Sequence, residues 1–580
     1  IKATEGNVPK ITLDGATLNT EAGNGMYLAG YAETSIRNST ITSSSEGSTG
    51  IEIRAGKLTI TNSTVTGGSG EYEGGPNGNG STSSNVALAV VQHTTKLPLE
   101  VTVNGGTFSG GAAFVQADEQ DNGEDAVKKI KIDIQAGKFE GQVYSENVEN
   151  FISGGTFSGD VSDYLADNTA LTPNADGTFE AIEASESDVV AVTNIGGTEL
   201  NHTSLAEAIA EINGADSASK ITLTLQQSQI LTDTITFNKN LDITVDLNGK
   251  VLRGPSNGYV FWFGSFSANG DNAAEQDYTN NGTLTIKNGT VIGYRGVMNY
   301  FGNVVLDEGL SMEANERIVN MRGGKVTVQG AELTSEAGYG ILLFNSFYAF
   351  DSDPKNPEYA NNNHKLNKGA ELVMISGSID VALSAVSGNN LASAGSKATI
   401  SGGTLNVNES GTAIYWPMEG ELTITGGSIT GGTAIEAKMG TITISGDAQI
   451  TGTGEYTESE PENGGSSPEG SALLLSSQMY GIHGGQCRAS NELTVKITGG
   501  TLTSQNGNAV TVYNTEQQTG DDAQTTDVAI TGGELSGKLG AVASVVANGK
   551  NEVTTDENQQ TASKSQTTLT VSGDVAPASI

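Results

Sequence analysis

Apolar and polar residues alternate along most of the chain. The stretch from Val101 reads VTVNGGTFSGG, and related phrases recur as ATISGGTLNV from Ala398, LTITGGSITGG from Leu422 and VKITGGTLTS from Val495. An apolar residue at every second position is the period of a β-strand with one buried face. The pattern therefore predicts many short strands whose aliphatic side chains point inward.

The same phrases recur at a regular interval. Each contains two short strands around a Gly-Gly or Asn-Gly turn, where glycine adopts positive φ without steric cost. A third strand often follows another glycine, as in GTAIYW from Gly411. Where no insertion intervenes, equivalent residues are about 18 to 26 positions apart, which is typical of a solenoid. The residues that follow the turn, or its equivalent, are Thr17, Thr40, Thr64, Thr107, Lys138, Thr156, Thr290, Glu332, Ser378, Thr404, Ser428, Ala448, Thr501 and Glu534.

Three short strands per repeat, with no helices between repeats, predict an all-β right-handed parallel β-helix solenoid. In such a fold each coil buries its aliphatic side chains against the coils above and below it. The repeated phrase then needs no chemical role, because its glycines form turns, its aliphatic residues form the core and its threonines cover the outer faces.

A single helical pattern interrupts the strands. Ser204 and Glu207 form a capping box, apolar residues then recur on one face, and Gly214 ends the segment. We predict an amphipathic helix over about 204–213 that caps the first coil of a second stack of coils.

A longer repeat contains the short one. The segment GSGEYEGGPNGNG resembles the later GTGEYTESEPENG, and the phrases that follow each segment come in the same order. Thr17 pairs with Thr404 in this alignment, an offset of 387 residues. We therefore predict two modules in tandem, with residues 1–185 as the C-terminal part of the first and residues 186–580 as the second, at a period of about 390.

The strongly negative net charge of the chain excludes some classes of binding partner. The 580 residues include 67 acidic and 29 basic side chains, a formal net charge of −38. Such a surface repels nucleic acid and anionic headgroups, so we predict neither a nucleic-acid partner nor direct membrane insertion. One cysteine cannot form an internal disulfide, and no apolar run is long enough to span a bilayer. We also expect the chain to be part of a longer protein.

Two aromatic clusters are candidate platforms for sugar binding. In GYVFWFGSF the alternation of a strand turns Trp262 away from Phe261 and Phe263. An outward Trp could stack on a pyranose ring, helped by a neighbouring arginine. Stiff packing near the helical cap is the alternative interpretation. The predicted ligand-binding residues are Trp262, Tyr294, Arg295, Tyr300, Tyr415 and Trp416.

A long insertion carries potential oxygen ligands for a metal ion. It begins at Ser346 and reads SFYAFDSDPKNPEYANNNHKLNKG. The spacing is similar to that of a calcium loop, although the glycine and the final glutamate of an EF-hand are missing. A solvated acidic loop is the alternative. Calcium is the only cofactor that the sequence suggests, with the ligands Asp351, Asp353, Asn356 and Glu358.

Catalytic motifs are scarce. A glycosidase needs two carboxylates at a fixed separation, and a uronate lyase usually needs a base with a bound cation. The chain has only 4 His, and the GDD from Gly520 lies in an acidic stretch. We predict that the chain is not an enzyme and assign no catalytic residue. A polysaccharide lyase or glycoside hydrolase of the β-helix type is the alternative function.

Two junctions carry a resemblance to a known family. The first reads ISGGTFSGDVSDYLADNTALTPNADGTFE from Ile152, and the second combines SLAEAIAEIN with DLNGKVL. They resemble the end and the beginning of modules in secreted, pectate-lyase-like right-handed β-helix repeat proteins of Gram-positive gut bacteria. The resemblance implies a secreted protein of the cell wall or cell surface, of adhesin type. It carries over no binding residue.

The leading hypothesis is a surface adhesin or stalk. Tandem modules lengthen a support or multiply weak contacts, and avidity grows with the number of contacts. We expect its loops to bind a host glycoprotein, a mucin glycan or a neighbouring cell. A purely structural fibre or surface-layer component is a further alternative.

Overall fold

Short parallel strands make up most of the regular structure, and they confirm the prediction of an all-β protein. The chain divides into two compact units, unit 1 with residues 1–188 and unit 2 with residues 189–580. The computed structural model describes residues 8–573 except 78–79, 168, 184–188, 265–279, 345–368, 390–392, 394, 458–465, 467–468, 477–491, 515–524, 547–551, 557–558 and 565–566.

Unit 1 consists of strands, one short α-helix and one turn of 3₁₀-helix in its described residues. In chain order they are β1 Lys10–Asp14, β2 Thr17–Asn19, β3 Asn24–Leu28, β4 Glu33–Arg37, β5 Thr40–Thr42, β6 Thr49–Ile53, β7 Gly56–Thr61, β8 Ser63–Thr66, β9 Glu73–Gly74, β10 Ser83–Ser84, β11 Val86–Val90, β12 Leu99–Gln116, α1 Glu124–Val127, β13 Lys131–Ser145, β14 Gly155–Phe157, the 3₁₀ turn Ser162–Tyr164, β15 Thr169–Pro173 and β16 Phe179–Glu183.

The strands of unit 1 pair one repeat apart. β1 pairs with β4, β4 with β7, β7 with β12 and β12 with β13, all in parallel. Inside the unit, Phe108, Phe139 and Phe157 form a stacked ladder with ring centroids 4.8 and 5.0 Å apart. These distances match the spacing of hydrogen-bonded strands, so equivalent side chains of successive coils lie directly on one another.

Unit 1 ends in antiparallel strands. β14 pairs with β16, and β16 pairs with β15, both antiparallel. The pairing puts Phe157 opposite Phe179, and both side chains are buried. The hairpin therefore covers the last parallel strand, whose unpaired backbone would otherwise be exposed.

Unit 2 contains the remaining strands and one helix. In chain order they are β17 Ala191–Ile195, β18 Thr198–His202, α2 Leu205–Asn213, β19 Lys220–Leu225, β20 Gln229–Ile230, β21 Ile235–Phe237, β22 Asp242–Asp246, β23 Val251–Arg253, β24 Tyr259–Phe263, β25 Thr283–Lys287, β26 Gly289–Tyr300, β27 Asn303–Asp307, β28 Leu310–Arg322, β29 Lys325–Ser335, β30 Tyr339–Leu342, β31 Glu371–Val381, β32 Ser384–Ser387, β33 Ser396–Ile400, β34 Thr404–Val407, β35 Thr412–Trp416, β36 Gly420–Ile424, β37 Ser428–Gly431, β38 Thr433–Ala437, β39 Gly440–Ile444, β40 Gln449–Gly452, β41 Leu473–Ser476, β42 Glu492–Ser504, β43 Asn508–Asn514, β44 Thr525–Gly537, β45 Gly540–Val546, β46 Glu552–Asp556, β47 Gln559–Lys564 and β48 Thr567–Ser572.

Three columns of parallel strands run through unit 2. The first column starts with β19, β22 and β25, the second with β20, β23 and β26, and the third with β21, β24 and β26. Later coils continue the pattern, for example from β35 to β38 and β41. The columns enclose one continuous core of mainly aliphatic side chains. Each strand therefore packs between equivalent strands of the coils on either side.

Some predicted pairs of short strands form one longer strand. β12 continues through the Gly-Gly turn of its phrase, where the pairing with β13 shifts register between Asn104 and Thr107. The turn is thus a bend inside a continuous ladder, because the backbone hydrogen bonds resume after the shift.

The two glycines of a repeated turn have different roles. At Gly427 φ is +85°, a conformation that glycine adopts without strain. Gly426 is outside that region, but a Cβ atom there would lie 2.5 Å from the carbonyl oxygen of Ser401 in the preceding coil. One glycine makes the turn and the other permits close approach, so the phrase builds the stack.

The helix begins at Leu205 and ends at Asn213, where the sequence predicts it. The Ser204 hydroxyl accepts a hydrogen bond from the Glu207 N–H at 3.2 Å, as expected for the first half of a capping box. The apolar face of the helix joins the core of unit 2 and contacts β17 and β21. The helix therefore covers the first strands of this unit.

Candidate functional site

Side chains of three neighbouring strands, together with Phe344 just after a fourth, form the candidate site. β24, β26, β28 and β30 pair in parallel and nearly in register. Phe261 and its partner Val297 are fully buried in the core, whereas Trp262 is only half-buried. The strand alternation that places Phe261 inside turns Trp262 outward.

We call this surface the aromatic–arginine face. Ring contacts, cation–π contacts and ion pairs join its side chains into one group across neighbouring coils. Its members are Tyr259, Trp262, Tyr294, Arg295, Tyr300, Glu316, Arg317, Arg322 and Phe344.

At one end of the face, Arg295 lies between two tyrosine rings. Its guanidinium carbon is 5.5 Å from the ring centroid of Tyr259 and 5.1 Å from that of Tyr294. Arg295 Nε donates to Glu316 Oε2 at 2.5 Å. Arg317, which is opposite Arg295 in the register, donates to the other oxygen of Glu316. One carboxylate therefore holds two guanidinium groups side by side.

The hydrogen bonds between Glu316 and the two arginines shift the pKa values of this ionic group more than its burial does. Partial burial by itself would raise the pKa of Glu316, but hydrogen bonds from Arg295 and Arg317 hold that pKa below its ordinary value. Burial acts to lower the pKa of Arg295, and its bond to Glu316 more than reverses the change. Because arginine is always charged, the two guanidinium groups and one carboxylate carry a net positive charge at neutral pH.

Aromatic rings occupy the middle and the other end of the face. Trp262 stacks on Tyr300 with ring centroids 5.4 Å apart and an interplanar angle of 28°. The edge of Tyr259 meets Trp262 at 6.0 Å and 89°. Beyond Tyr300, Arg322 lies 5.0 Å from the ring centroid of Phe344. Arginine therefore lies near both ends of the row of rings, with Arg295 beside Tyr259 and Arg322 opposite Tyr300 on the neighbouring strand.

The face has the length of a short oligosaccharide. Arg295 and Tyr300 are five residues apart on β26, which is about 16 Å in an extended strand. Aromatic rings can stack on the C–H faces of pyranoses, and guanidinium groups donate to sugar oxygens. The side chains of Arg295 and Arg317 are 29% and 25% exposed, so both reach solvent. The arrangement can thus bind a sugar chain through stacking and hydrogen bonds.

Four of the six predicted ligand-binding residues lie on this face, and two lie elsewhere. Trp416 is fully buried and belongs to the core of unit 2. Its neighbour Tyr415 is also buried and lies under the Lys438 ammonium group, 5.4 Å from the ring centroid. Packing, the alternative left open by the sequence, therefore describes Trp416 and Tyr415.

Sequence reasoning missed much of the face. Arg317 and Arg322 each lie 22 residues after Arg295 and Tyr300 and pair with them in the register. Adding one coil length to each predicted residue would have found both arginines. The contact of Glu316 with both guanidinium groups has no comparable signal, because it depends on side-chain direction.

The predicted calcium ligands lie outside the described residues. Among the residues that the structure does describe, no three Asp, Glu, His or Cys side chains lie close enough to hold a metal ion. The residues in question are Asp351, Asp353, Asn356 and Glu358.

An acidic cleft of about 450 Å³ is another candidate site in unit 2. Its lining includes Glu313, Glu336 and Asp380, and Asn406 donates to Asp380 at 2.7 Å. The described lining residues include neither an aromatic ring nor a cationic side chain. The cleft therefore has no stacking surface of the kind found on the aromatic–arginine face, which is the stronger candidate.

Comparisons with known proteins add no family assignment. No protein-family model matches the chain, and no curated protein sequence matches it. In the described part of the chain, no helix has the length and apolar character needed to cross a bilayer. The resemblance to secreted β-helix repeat proteins stays a prediction.

Proposed function

We propose that each unit is a right-handed parallel β-helix that serves as a rigid support. The support for this proposal is the pairing of equivalent strands one coil apart, in three columns around a continuous core. Right-handedness is the expected hand because nearly all crossovers between parallel strands in one sheet are right-handed.

On this support, we infer, the chain acts as a secreted cell-surface adhesin of a Gram-positive bacterium. Its ligand is carbohydrate on a host glycoprotein, a mucin or a neighbouring cell, and the aromatic–arginine face binds it. The observation that carries the proposal is the outward stack of Trp262 on Tyr300. Large aromatic side chains are normally buried in the core, as Phe261 and Trp416 are, so a stack that faces outward and is only half-buried is better explained by a ligand than by packing.

The scaffold suits this role. The rings and guanidinium groups of the face project from paired strands, which fix their spacing before a ligand arrives. Preorganised groups lose little conformational freedom on binding, and that raises the affinity of a small contact area. Several weak sites on tandem modules would add avidity.

A glycan array with the full chain tests the proposal. We compare the unmodified chain with Trp262→Ala and with the control Leu200→Ala, which removes another exposed apolar side chain of unit 2. Trp262→Ala should weaken binding at least about tenfold, or about 1.4 kcal/mol, because it removes the stacking ring. Leu200→Ala should bind like the unmodified chain.

Two results would contradict the proposal. One is an array on which the unmodified chain retains no saccharide, and the other is equal binding by Trp262→Ala and Leu200→Ala. Release of shortened sugar products during the incubation would instead favour the lyase or hydrolase alternative.

A further inference from the structure

Arginine is concentrated in one part of an acidic chain. Four of the seven arginines of the sequence fall between residues 253 and 322, although the formal net charge of the chain is −38. Three of these four, Arg295, Arg317 and Arg322, belong to the aromatic–arginine face. A solvated acidic surface does not require such a cluster, so the cluster itself needs an explanation.

Hydrogen-bond donors at the face exceed the acceptors supplied by Glu316. Each guanidinium group has five N–H donors, and Glu316 takes one from Arg295 and one from Arg317. Arg317 Nε is buried and has no hydrogen-bond partner among the described residues. The two side chains also reach solvent. Arg317 Nε is out of reach of a ligand, but the remaining N–H donors of these two partly exposed side chains lie next to each other and suit an anionic group that accepts several hydrogen bonds at once.

The geometry also shows that a carboxylate fits this place. Glu316 already accepts from Arg295 through one oxygen and from Arg317 through the other. The charges do not cancel, because two cations face one anion. At the opposite end of the stacked rings, Arg322 adds a further positive charge beside Phe344.

We propose that the aromatic–arginine face selects anionic saccharides. Their carboxylate or sulfate groups bind Arg295 and Arg317 at one end or Arg322 at the other, while a sugar ring stacks on Trp262. This inference rests on the proposed function of the same face and adds the chemical class of its ligand. Both kinds of anionic group fit because guanidinium binds planar carboxylates and sulfate oxygens alike through paired N–H donors.

Matched glycan pairs test the selectivity. An array presents the same neutral cores with and without sialic acid, a uronic acid or sulfate, and titration calorimetry gives the affinity of each pair that is retained. We expect at least tenfold tighter binding of the anionic member. Carboxylated and sulfated pairs tested separately distinguish the two sources of charge, and selectivity for either one supports the inference.

Two variants and one control locate the selectivity. Arg317→Gln and Arg322→Gln should each weaken binding of the anionic member at least threefold more than they weaken binding of the neutral core. The second variant leaves the Glu316 ion pair intact, so it remains informative if the first perturbs folding. The control Arg37→Gln removes the same charge from unit 1, where Arg37 pairs with Asp14, and should leave the preference unchanged.

The possible results distinguish a failure of the selectivity for anionic saccharides from a failure of carbohydrate binding itself. If anionic and neutral members bind equally and Trp262→Ala weakens both, the inference is wrong and the carbohydrate-binding proposal remains. If Arg37→Gln lowers the preference as much as the two variants do, the effect is general charge and the inference is also wrong. If no saccharide binds at all, the proposed function fails as well.

Discussion

Units 1 and 2 each bury an ionic pair at the same place in the repeat. In unit 1 the pair is Glu52 and Arg54, in the segment TGIEIRAG, and in unit 2 it is Glu436 and Lys438, in TAIEAKMG. All four side chains are fully buried. Burying an ion pair rarely adds stability compared with apolar residues, so its repetition at an offset of 384 residues agrees with the predicted tandem duplication.

In unit 1 the pair holds a loop against the outside of the strands. Arg54 Nη1 donates to the carbonyl oxygens of Asn77 at 3.0 Å and Gly80 at 2.7 Å. Glu52 accepts from the backbone N–H of Thr82 at 3.0 Å and from its hydroxyl at 2.7 Å. The loop formed by residues 71–77 and 80–85 is therefore attached to β6 at both charges.

In unit 2 the same positions have different surroundings. Lys438 Nζ is 3.4 Å from Glu436 Oε1, and Ser476 donates to the same oxygen. A second carboxyl group, Glu469, is also buried nearby and accepts from the Ser471 hydroxyl. The comparison teaches that matched strands of the two units both bury an ionic pair, while the groups around the pair vary.

The aromatic–arginine face has no counterpart in unit 1. The alignment of the modules starts where Thr17 pairs with Thr404, and every member of the face precedes Thr404. On the predicted alignment, the segments that have a match in the other unit contain scaffold features, and the segment without a match contains the candidate site. Variants at matched positions of the two units can test this division.

Among the variants considered, loss of the buried Arg54 charge in unit 1 should lower the free energy of unfolding most. Arg54→Met leaves the Glu52 carboxylate buried without its charge partner, which should cost about 3–5 kcal/mol. Hydrogen exchange of the loop should become faster, because the two hydrogen bonds from Arg54 Nη1 to the carbonyl oxygens of Asn77 and Gly80 disappear with the guanidinium group. Exchange measured by mass spectrometry and chemical denaturation check the two expectations.

Arg54→Lys is the matched variant, since it installs the residue type found in unit 2. Lysine keeps the positive charge but lacks the several N–H donors of the guanidinium group. The free energy of unfolding should therefore fall by less than in Arg54→Met, by about 1–3 kcal/mol. If Arg54→Met leaves loop exchange unchanged, the ionic pair does not hold the loop. If the two variants cost the same, the hydrogen bonds matter and the charge does not.

The stacking pattern could be predicted from the sequence because it depends on local periodicity. Alternation placed Trp262 and Phe261 on opposite faces of their strand, and the capping box located the helix at Ser204. The same alternation could not separate Trp262 from Trp416. Both are in aromatic pairs on third-column strands, but Trp416 lies in the core and Trp262 does not.

Long-range side-chain contacts were not predictable from these patterns. Glu316 lies between Arg295 and Arg317, and that contact depends on where neighbouring coils place their side chains. The buried Glu52 and Arg54 look like ordinary outward residues in an alternating strand. Gly80 and Thr82 of the loop contact them from outside, and an isolated sequence pattern does not reveal such a cover.

The second-largest expected effect is a pH dependence of the free energy of unfolding, and we expect it in unit 2 only. Burial raises the pKa of Glu469 to about 7, against hydrogen bonds from Ser471 and Thr511, and the charge of Glu436 raises it further. Below the ordinary pKa of 4.5, the carboxyl group is protonated in folded and unfolded chains alike. As the pH rises from there to about 7, the unfolded chain ionises first and the folded state loses up to about 3 kcal/mol.

Hydrogen exchange of β41 and β43 between pH 4.5 and 8, corrected for the intrinsic rate, measures this loss. Glu469→Gln should remove the slope, because the amide does not titrate. The exposed Glu421→Gln is the control and should retain it. The equivalent position in unit 1, counted back from the aligned Leu88 and Leu473, is Ser84, so β6 and β11 should have no comparable slope. A slope that persists in Glu469→Gln would assign the titration to another group.

The smallest expected effect on stability comes from exposed lysine–glutamate ion pairs, which occur in both units. In unit 1, Lys10 pairs with Glu33 across neighbouring coils, and in unit 2, Lys397 pairs with Glu421. The two lysines are 387 residues apart, the same offset as other matched positions. Opposite charges on successive coils avoid the repulsion that like charges would have at the spacing of paired strands.

Lys10→Ala and Lys397→Ala should each change the free energy of unfolding by less than about 1 kcal/mol, because exposed ion pairs are screened and cost side-chain entropy. Lys397→Glu should be worse than Lys397→Ala, since residue 397 lies between Glu371 and Glu421 in the register. Chemical denaturation of the three variants measures both differences. A cost for Lys397→Ala well above that of Lys10→Ala would mean that the pairs of unit 2 act as a network. Equal costs for Lys397→Ala and Lys397→Glu would mean that the alternation of charge has no role in stacking these coils.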